Sequence, residues 1–536
     1  MKSSRKSLMA LAFALGLLGL LPWGGNPLIA REQELRVVLT ARDMARGGSW
    51  LIPHYLGEPR LNKPPLMYWI TASVFKLSGT TQSPALARLP GALLGAILLA
   101  AIVGLGHQLV GRTAAFYAAA VAGTSYLFLS FGRLCETDIP LACCEAVSVL
   151  ALFKGLKARK GVYWWMVSAV AAGLGFLIKG PAAILLPLAA LTSFLAVSPP
   201  ARSTFRPLRF LGWIVIVALL GAPWYILIYG SQASQAASGD IGYELGALLK
   251  HSSHAGSPVF YLYTLPLAMA PWGLLLPFSL VTLWPFARRH SSLRFLFAWL
   301  LSSLILMSLV KSKQIHYATL LLTPSALLIG IHLRLLMARL RLRPACALRR
   351  TGMTANILLG LAGLALVFLP FRFAFLSLPA CAFSGLLVVA ISLRRAFAPE
   401  PGRLGRNLAA ACLSILLLSG LYAWQLHEIA EPSRVVKAFA SETSDRLPPA
   451  AKVFLAGRRL NAMQYYLDRP IIRVKDYDSG WKVAKPGDAI ILASDRKNPI
   501  RPPASGPEPV VLMQQESVGM RLYIKPAGSD QSLALP

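Results

Sequence analysis

Length, composition and charge narrow the class of protein before any motif is considered. The chain has 536 residues, of which 55% are apolar and only 14% are charged, and its mean hydropathy is +0.56. A soluble globular protein carries about a quarter charged residues, so this composition excludes that class. Long apolar runs, each able to cross a bilayer core as a helix, predict an α-helical polytopic membrane protein.

Thirteen apolar runs of spanning length are predicted along the chain. They lie at residues 7–25, 86–107, 113–131, 139–156, 161–178, 181–198, 209–229, 258–286, 293–310, 316–333, 353–370, 374–393 and 407–425. The basic residues Lys2, Arg5 and Lys6 predict a cytoplasmic N-terminus, because short cytoplasmic loops retain Lys and Arg. Alternation from there makes every predicted inner loop basic, including residues 154–160 and 334–350.

The net charge of +32 follows from this arrangement. It indicates orientation and contact with anionic lipids, and we expect no nucleic-acid partner. Residues 1–30 have the basic start and apolar middle of a secretory signal, but Leu28 is a poor residue three positions from a cleavage site at Ala30. We therefore predict an uncleaved first helix in a multi-pass protein of the bacterial inner membrane.

The end of the chain differs from the rest. Beyond the last predicted span, the apolar runs shrink to strand length and are separated by Gly, Pro and Asp. They lie at residues 451–457, 469–474, 488–493, 509–513 and 520–526, after a predicted helix at residues 427–446. We predict a transmembrane domain at residues 1–425 and a periplasmic α/β domain at residues 426–536.

The six cysteines show neither a CxxC motif nor the Cys/His spacing of a metal site. They are Cys135, Cys143, Cys144, Cys346, Cys381 and Cys412. Most lie in or near predicted spans, where a thiol behaves as a small apolar side chain. We expect no disulfide framework and no thiolate metal site.

The first predicted outer segment, residues 31–85, holds the densest set of polar side chains beside apolar helices. Its first half has helical spacing, with Leu35, Val38, Leu39 and Met44 on one side, and predicts an amphipathic helix resting at the membrane interface. Further along, "EPRLNKPPLMYWI" sets Lys63 between a polar prolyl stretch and an apolar run. On this pattern alone, Lys63 is equally well interpreted as a lysine that reaches lipid headgroups.

Several motifs in serial order resemble those of the protein mannosyltransferase-like type C glycosyltransferases, which include the lipid A aminoarabinose transferases. The first outer segment carries "ELR", "ARDM", "GSWLIPH" and "GEPRLNKPPLMYW". The later motifs are "RLCETDIPL", "FLIKGPAAILLP", "HAGSPVFYLYTLPLAMAPWGLLLP" and "KSKQIHY". Together these matched motifs cover about residues 30–330, and all fall on the predicted outer side.

The resemblance implies transfer of a sugar from a polyprenyl-phosphate carrier to an acceptor hydroxyl or phosphate on a lipid, glycan or protein. The carrier phosphate leaves as the acceptor attacks the anomeric carbon. Cations must then stabilise the charge that develops on the phosphate, and a carboxylate must act near the acceptor.

The resemblance also implies roles for individual residues. Lys63 and Arg36 match cations that meet the carrier phosphate, and Tyr317 matches a tyrosine near it. Other polar residues of the matched motifs are further candidates for the phosphate site: Lys179, Lys313, His254 and His316. A lone His is more often a surface group, so both histidines are weaker candidates.

Asp138 matches a carboxylate of the family site. Its alternative role is to cap the helix that follows, since Asp before Pro140 suits a helix start. Glu136, beside it, is a weaker candidate.

The chain departs from the family pattern at two positions. Gln33 and Asn62 stand where relatives carry acids, so two expected carboxylates are amides. We therefore nominate Glu34 first and Glu32 second as the catalytic carboxylates beside Asp138, to activate or orient the acceptor.

We therefore interpret the sequence as that of an integral-membrane glycosyltransferase that requires no cofactor. No set of side chains has zinc-ligand spacing, and displacement at a glycosyl phosphate does not inherently need a metal, which leaves a divalent cation open. The alternative is a lipid or glycan transporter, or flippase. A transporter places ionisable residues in mid-span, whereas the candidate residues here lie at outer span ends.

Overall fold

The structure is a computed structural model with a helical bundle followed by a mixed α/β region. It describes residues 5–21, 29, 31–158, 161–231, 238–239, 256–342, 431–448, 450–457, 461–469, 471–493, 510–515 and 520–525. The last three predicted spans, His254 and the predicted domain boundary lie outside the described residues.

The described part of the bundle is mainly helical. Its α-helices are α1 (Arg5–Leu20), α2 (Glu32–Ala45), α3 (Leu66–Ser78), α4 (Pro84–Gly104), α5 (His107–Val110), α6 (Arg112–Gly123), α7 (Tyr126–Phe131), α8 (Asp138–Lys157), α9 (Val162–Lys179), α10 (Ala182–Val197), α11 (Pro199–Thr204), α12 (Pro207–Tyr229), α13 (Phe260–Ala268), α14 (Leu275–Ala287), α15 (Ser291–Leu309) and α16 (Thr319–Leu342). Each of the first ten predicted spans coincides with one helix or with two in succession. The total of thirteen spans stays a prediction.

Six helical segments of the described part are long and apolar enough to cross a membrane. They are Pro84–Val110, Asp138–Lys157, Val162–Lys179, Pro207–Tyr229, Ser291–Leu309 and Ile315–Arg339. The helix Ala182–Val197 and the segment Trp272–Ala287 are apolar but shorter. Large apolar side chains on α12, including Leu219 and Ile226, point out of the bundle, as expected of a lipid-facing helix.

Local sequence explains where several helices begin, end and pack. The Ser83 hydroxyl accepts the Leu86 N–H at 3.4 Å, and Pro84 follows as the first residue of α4. Gly79 ends α3 with a φ of 70°, which glycine adopts without strain. A side chain on Gly330 would lie 2.4 Å from the Ala114 carbonyl, so this glycine permits α16 to lie close against α6.

The first outer segment forms α2, a short ribbon of β1 (His54–Tyr55) and β2 (Glu58–Pro59), and α3. The helix predicted in its first half is therefore confirmed. The expectation that its apolar side rests on the membrane interface is corrected, because that side packs on protein. Leu35, Val38 and Met44 are buried in one cluster with Phe75 of α3 and Tyr465.

The C-terminal region contains one five-stranded sheet. Its elements are α17 (Glu431–Arg446), β3 (Val453–Gly457), α18 (Asn461–Leu467), β4 (Ile471–Val474), α19 (Tyr477–Val483), β5 (Ala489–Ala493), β6 (Val510–Gln515) and β7 (Met520–Ile524). The strand order is β4-β3-β5-β7-β6, with β4, β3 and β5 parallel and the other two pairings antiparallel. Each of the five strand-length apolar runs forms one strand.

Candidate functional site

Three matched motifs meet at adjoining helix ends. Asp138 is the first residue of α8 and Lys179 is the last residue of α9, and Lys179 Nζ lies 2.5 Å from Asp138 Oδ1. The same ammonium lies 4.8 Å from the centre of the Tyr317 ring. Thr137, not Asp138, holds the capping position of α8, so the predicted capping role is not the one that the structure shows. The Asp138 carboxylate instead lies at the positive end of the helix, paired with a cation.

Glu136 is buried beside this cluster. Its side chain is 3% exposed, and Arg31 Nε lies 2.9 Å from Oε1, although neither carboxylate oxygen accepts a well-aligned hydrogen bond. The Arg31 guanidinium also lies 5.2 Å from the centre of the Phe131 ring. Burial raises the pKa of Glu136 to about 7, with Asp138 among the charges that raise it and Arg31 opposing them. Sequence reasoning ranked Glu136 low and missed Arg31 altogether.

Glu34 forms a buried ion pair with Arg88 of α4. Arg88 Nε lies 2.7 Å from Glu34 Oε1 and Nη2 lies 2.9 Å from Oε2, while the Cys135 backbone N–H donates to Oε1 at 3.0 Å. Glu34 is 1% exposed. Because both oxygens are engaged, this geometry favours a positioning role for Glu34 over the predicted role in activating the acceptor.

Glu32 and Arg36 form a more exposed pair one helical turn apart on α2. Arg36 Nε lies 3.0 Å from Glu32 Oε1, and the Tyr55 hydroxyl donates to the same oxygen at 3.3 Å. Burial and the charge of Glu32 raise the pKa of Tyr55 well above its usual value. A phosphate that approached Arg36 would therefore compete with Glu32.

Lys63 lies half-buried in the turn before α3, with the buried Leu61 two residues before it and the buried Pro64 directly after it. Leu61 is 1% exposed and packs with Leu177 of α9 and Trp224 of α12. Since Leu177 is two residues before Lys179, this packing holds the Lys63 turn at the end of α9 that carries Lys179. The prolines after Lys63 end the turn where α3 begins.

The structure argues against Lys313 as a phosphate contact. Lys313 is buried, and its ammonium donates to the Met307 and Ser308 carbonyls at 2.8 and 2.7 Å and to the Val310 carbonyl. These are carbonyls at the C-terminal end of α15, which need a donor. All three ammonium protons are thus committed to ending the helix.

His316 is also buried, beside Phe131 and Tyr317, with ring centres 5.6 and 4.7 Å away. It forms part of the wall around Tyr317. Within the described ranges, no three His, Cys, Asp or Glu side chains are grouped so that they could hold a metal ion.

The C-terminal region docks directly on α2. Arg42 donates to the Tyr465 carbonyl at 3.0 Å, and its guanidinium lies 4.3 Å from the centre of the Tyr465 ring. Arg46 lies 2.7 Å from Asp468, and the Tyr466 hydroxyl accepts the Ile29 N–H at 2.7 Å. The C-terminal region therefore packs on the same helix that carries Glu32 and Glu34.

Comparison with known proteins shows which sequences and folds the chain resembles. The family described as dolichyl-phosphate-mannose-protein mannosyltransferase matches residues 62–227. An undecaprenyl phosphate-alpha-4-amino-4-deoxy-L-arabinose arabinosyl transferase from Pseudomonas aeruginosa is 29% identical over 381 residues, which cover 69% of this chain and 66% of that protein. The chain therefore aligns with slightly less than two thirds of that relative's length.

Solved structures share the fold over almost the whole chain. ArnT from Cupriavidus metallidurans bound to undecaprenyl phosphate superposes with a TM-score of 0.78 at 18% identity, covering 99% of this chain and 98% of that one. The oligosaccharyltransferase AglB from Archaeoglobus fulgidus gives 0.54 at 11% identity, covering 91% and 69%. The predicted helical membrane fold is thereby confirmed. In sequence and in fold, the chain is similar to type C glycosyltransferases, including the aminoarabinose transferases.

Proposed function

We propose that the chain transfers a sugar from a polyprenyl-phosphate carrier to an acceptor on the outer face of the bacterial inner membrane. The observation that carries this proposal is the meeting of Asp138, Lys179 and Tyr317, which lie far apart in the sequence. They meet within a fold shared with a protein that was solved bound to undecaprenyl phosphate. The acceptor is a lipid A, a glycolipid or a protein.

The proposed chemistry depends on cations at the leaving phosphate. One proton of the Lys179 ammonium is directed at Asp138, and an ammonium has three donors, so Lys179 can also meet a phosphate oxygen. Lys63 is held at the same end of α9 and supplies a second positive charge. Their stabilisation of the phosphate as the anomeric bond breaks lowers the barrier in the transition state. In this proposal the lysines do the work that a metal ion would otherwise do, and no cofactor is needed.

The orientation of the chain belongs to the same proposal. The N-terminus is cytoplasmic and the C-terminal region periplasmic, with basic residues in each inner loop. This orientation puts the Asp138 and Lys179 helix ends, together with α2, on the outer side, where the acceptor would be encountered.

One observation favours the alternative of a lipid or glycan transporter. Glu145 lies inside α8, 1% exposed, and accepts a hydrogen bond from Trp299 Nε1 at 2.7 Å. An ionisable residue within a span is characteristic of transport pathways. The Trp299 contact also ties α8 to α15, which is a structural use of the same residue.

Purified protein in detergent separates the two functions, because detergent leaves no membrane to transport across. The protein is incubated with undecaprenyl-phosphate sugars and with lipid A, glycolipid or peptide acceptors, and products are identified by mass spectrometry. Release of undecaprenyl phosphate with formation of a glycosylated acceptor supports the transferase. Movement of the carrier lipid across vesicle bilayers, without any glycosylated product, would show a transporter.

A further inference from the structure

The carboxylates around the candidate site differ in how far they are already engaged. Glu34 is held by Arg88, Asp138 by Lys179 and Glu32 by Arg36. In the part of the chain that the structure describes, Glu136 stands apart from these three. It has a cation 2.9 Å away, but neither of its buried oxygens accepts a hydrogen bond.

An under-satisfied buried carboxylate is costly, and such groups cluster where chemistry is carried out. The charges that act on Glu136 come from three helices and the segment before α2: Glu34 on α2, Asp138 on α8, Lys179 on α9 and Arg31 directly before α2. Together with burial they bring the pKa of Glu136 to about 7. A group with this pKa takes up a proton readily at neutral pH and gives it back to solvent.

Two residues that replace expected acids leave the deprotonation of the acceptor without an assigned residue. Gln33 and Asn62 are amides, which cannot take up a proton at ordinary pH. On the basis of the proposed function, we propose that Glu136 is the general base of the reaction and that the acceptor group is a hydroxyl. A phosphate acceptor is already an anion and would not need a base.

The step balances as a single displacement. The acceptor oxygen forms a bond to the anomeric carbon while its proton passes to Glu136. The bond between the anomeric carbon and the phosphate oxygen breaks, and its electron pair leaves with the polyprenyl phosphate. Lys179 and Lys63 stabilise the departing anion, and Glu136 later returns its proton to solvent.

The test uses purified full-length protein, an undecaprenyl-phosphate sugar and a matched pair of acceptors. Dephosphorylated lipid A offers only hydroxyls, and phosphorylated lipid A also offers phosphates. With the hydroxyl acceptor, wild-type kcat/KM should rise with pH to a plateau above about pH 7, because only ionised Glu136 accepts a proton. Glu136→Gln should lower the plateau about a hundredfold or more and abolish the rise, with unchanged binding of the carrier lipid.

Arg31→Gln is the matched variant that distinguishes a base from a structural residue. Arg31 lowers the pKa of Glu136, so its loss should move the rise in kcat/KM to higher pH. Activity should fall at pH 7 and recover towards wild type at pH 9, whereas a merely structural defect would reduce activity at every pH. This variant also keeps the proposal open to refutation if Glu136→Gln fails to fold.

The outcomes that would overturn the proposal are distinct from a failure of the proposed function. If wild type transfers the sugar and Glu136→Gln retains both its rate and its pH dependence, Glu136 is not the base. Exclusive transfer to the phosphates of lipid A would refute the hydroxyl acceptor. If wild type transfers to no acceptor at all, the proposed function fails, and the role of Glu136 fails with it.

Discussion

Lysines from the matched motifs end in very different surroundings, although the sequence alone does not separate them. Lys313 gives its three protons to the end of α15. Lys179 holds one carboxylate and contacts one ring, which leaves donor capacity for a ligand. At the scale of single residues, the number of donors already used by the protein decides which cation can serve a phosphate.

The same substitution should have opposite effects at Lys63, which the proposed function places at the phosphate, and at Lys313. Lys63→Met should reduce transfer about a hundredfold or more with little change in thermal stability, because in the proposed function its charge acts on the departing phosphate. Lys313→Met should leave kcat within a few-fold of wild type and lower stability by about 1 to 3 kcal/mol, since buried carbonyls lose their donor. Transfer assays and melting in detergent measure both. Normal turnover by Lys63→Met would support the alternative interpretation, in which Lys63 only contacts lipid headgroups.

At the scale of elements, the Glu34–Arg88 pair joins three pieces of the chain. Arg88 is near the start of α4, Glu34 is near the start of α2, and the Cys135 N–H belongs to the segment that leads into α8. The pair therefore sets where Asp138 and Glu136 lie relative to α2. Its influence on the chemistry is exerted through their positions.

Breaking this pair from one side should be more harmful than removing both charges. Glu34→Gln should cost about 3 to 5 kcal/mol, because it leaves Arg88 buried without a counter-charge. The double variant Glu34→Gln with Arg88→Met should regain much of that stability, and with it much of the turnover. Melting curves and transfer rates of the two variants give the comparison. A double variant that is stable but inactive would instead show that Glu34 itself is the base.

At the scale of the whole molecule, the C-terminal sheet is attached to the first outer segment through α2. Arg42 is 5% exposed and lies against Tyr465, while Arg46 and Asp468 form the outer part of the contact. The contact joins the first outer segment of the chain to its C-terminal region. Movement of the C-terminal region would therefore act directly on the helix that carries Glu32 and Glu34.

Weakening the contact between α2 and the C-terminal region should affect the attachment of that region more than it affects sugar transfer. Arg42→Met should speed proteolytic release of the C-terminal region and lower transfer several-fold, less than Lys63→Met does. Arg446→Met is the matched control, because its pair with Glu442 lies exposed within α17. Proteolysis rates that are equal for both variants would mean that Arg42 does not hold the region in place.

The proposed orientation has its own test at this scale. Single cysteines at Ser49, Ser257 and Ser505 should react with a membrane-impermeant reagent from the outer face, and those at Ser203 and Ser291 from the inner face. The labelling is read in intact and opened cells. Labelling of position 505 from the inside would break the predicted count of thirteen spans.

The pattern of apolar residues predicted the helices and strands because each of them depends mainly on residues that are close together in the sequence. Apolar runs identified the helices at the first ten predicted spans, and short apolar runs separated by turn residues identified the five strands. The side chains that complete the site depend on distant partners and have no such signal. Arg88 meets Glu34 from 54 positions away, and Arg31 meets Glu136 only through the fold. The resemblance to a known motif was the strongest available hint, and it ranked Glu34 above Glu136.

The docking of α2 on the C-terminal region also constrains how the protein can be made. Ile29 and Tyr466 are 437 positions apart, and Arg42 and Tyr465 are 423 apart. At about 5 to 20 residues per second, α2 leaves the ribosome roughly 20 to 80 seconds before Tyr465 is synthesised. During that interval the apolar side of α2 lacks part of its cover, and the surrounding lipid or a chaperone must shield it. Translation speed over the later spans therefore becomes a determinant of yield, and variants that slow it should accumulate protein whose first outer segment is cleaved by proteases.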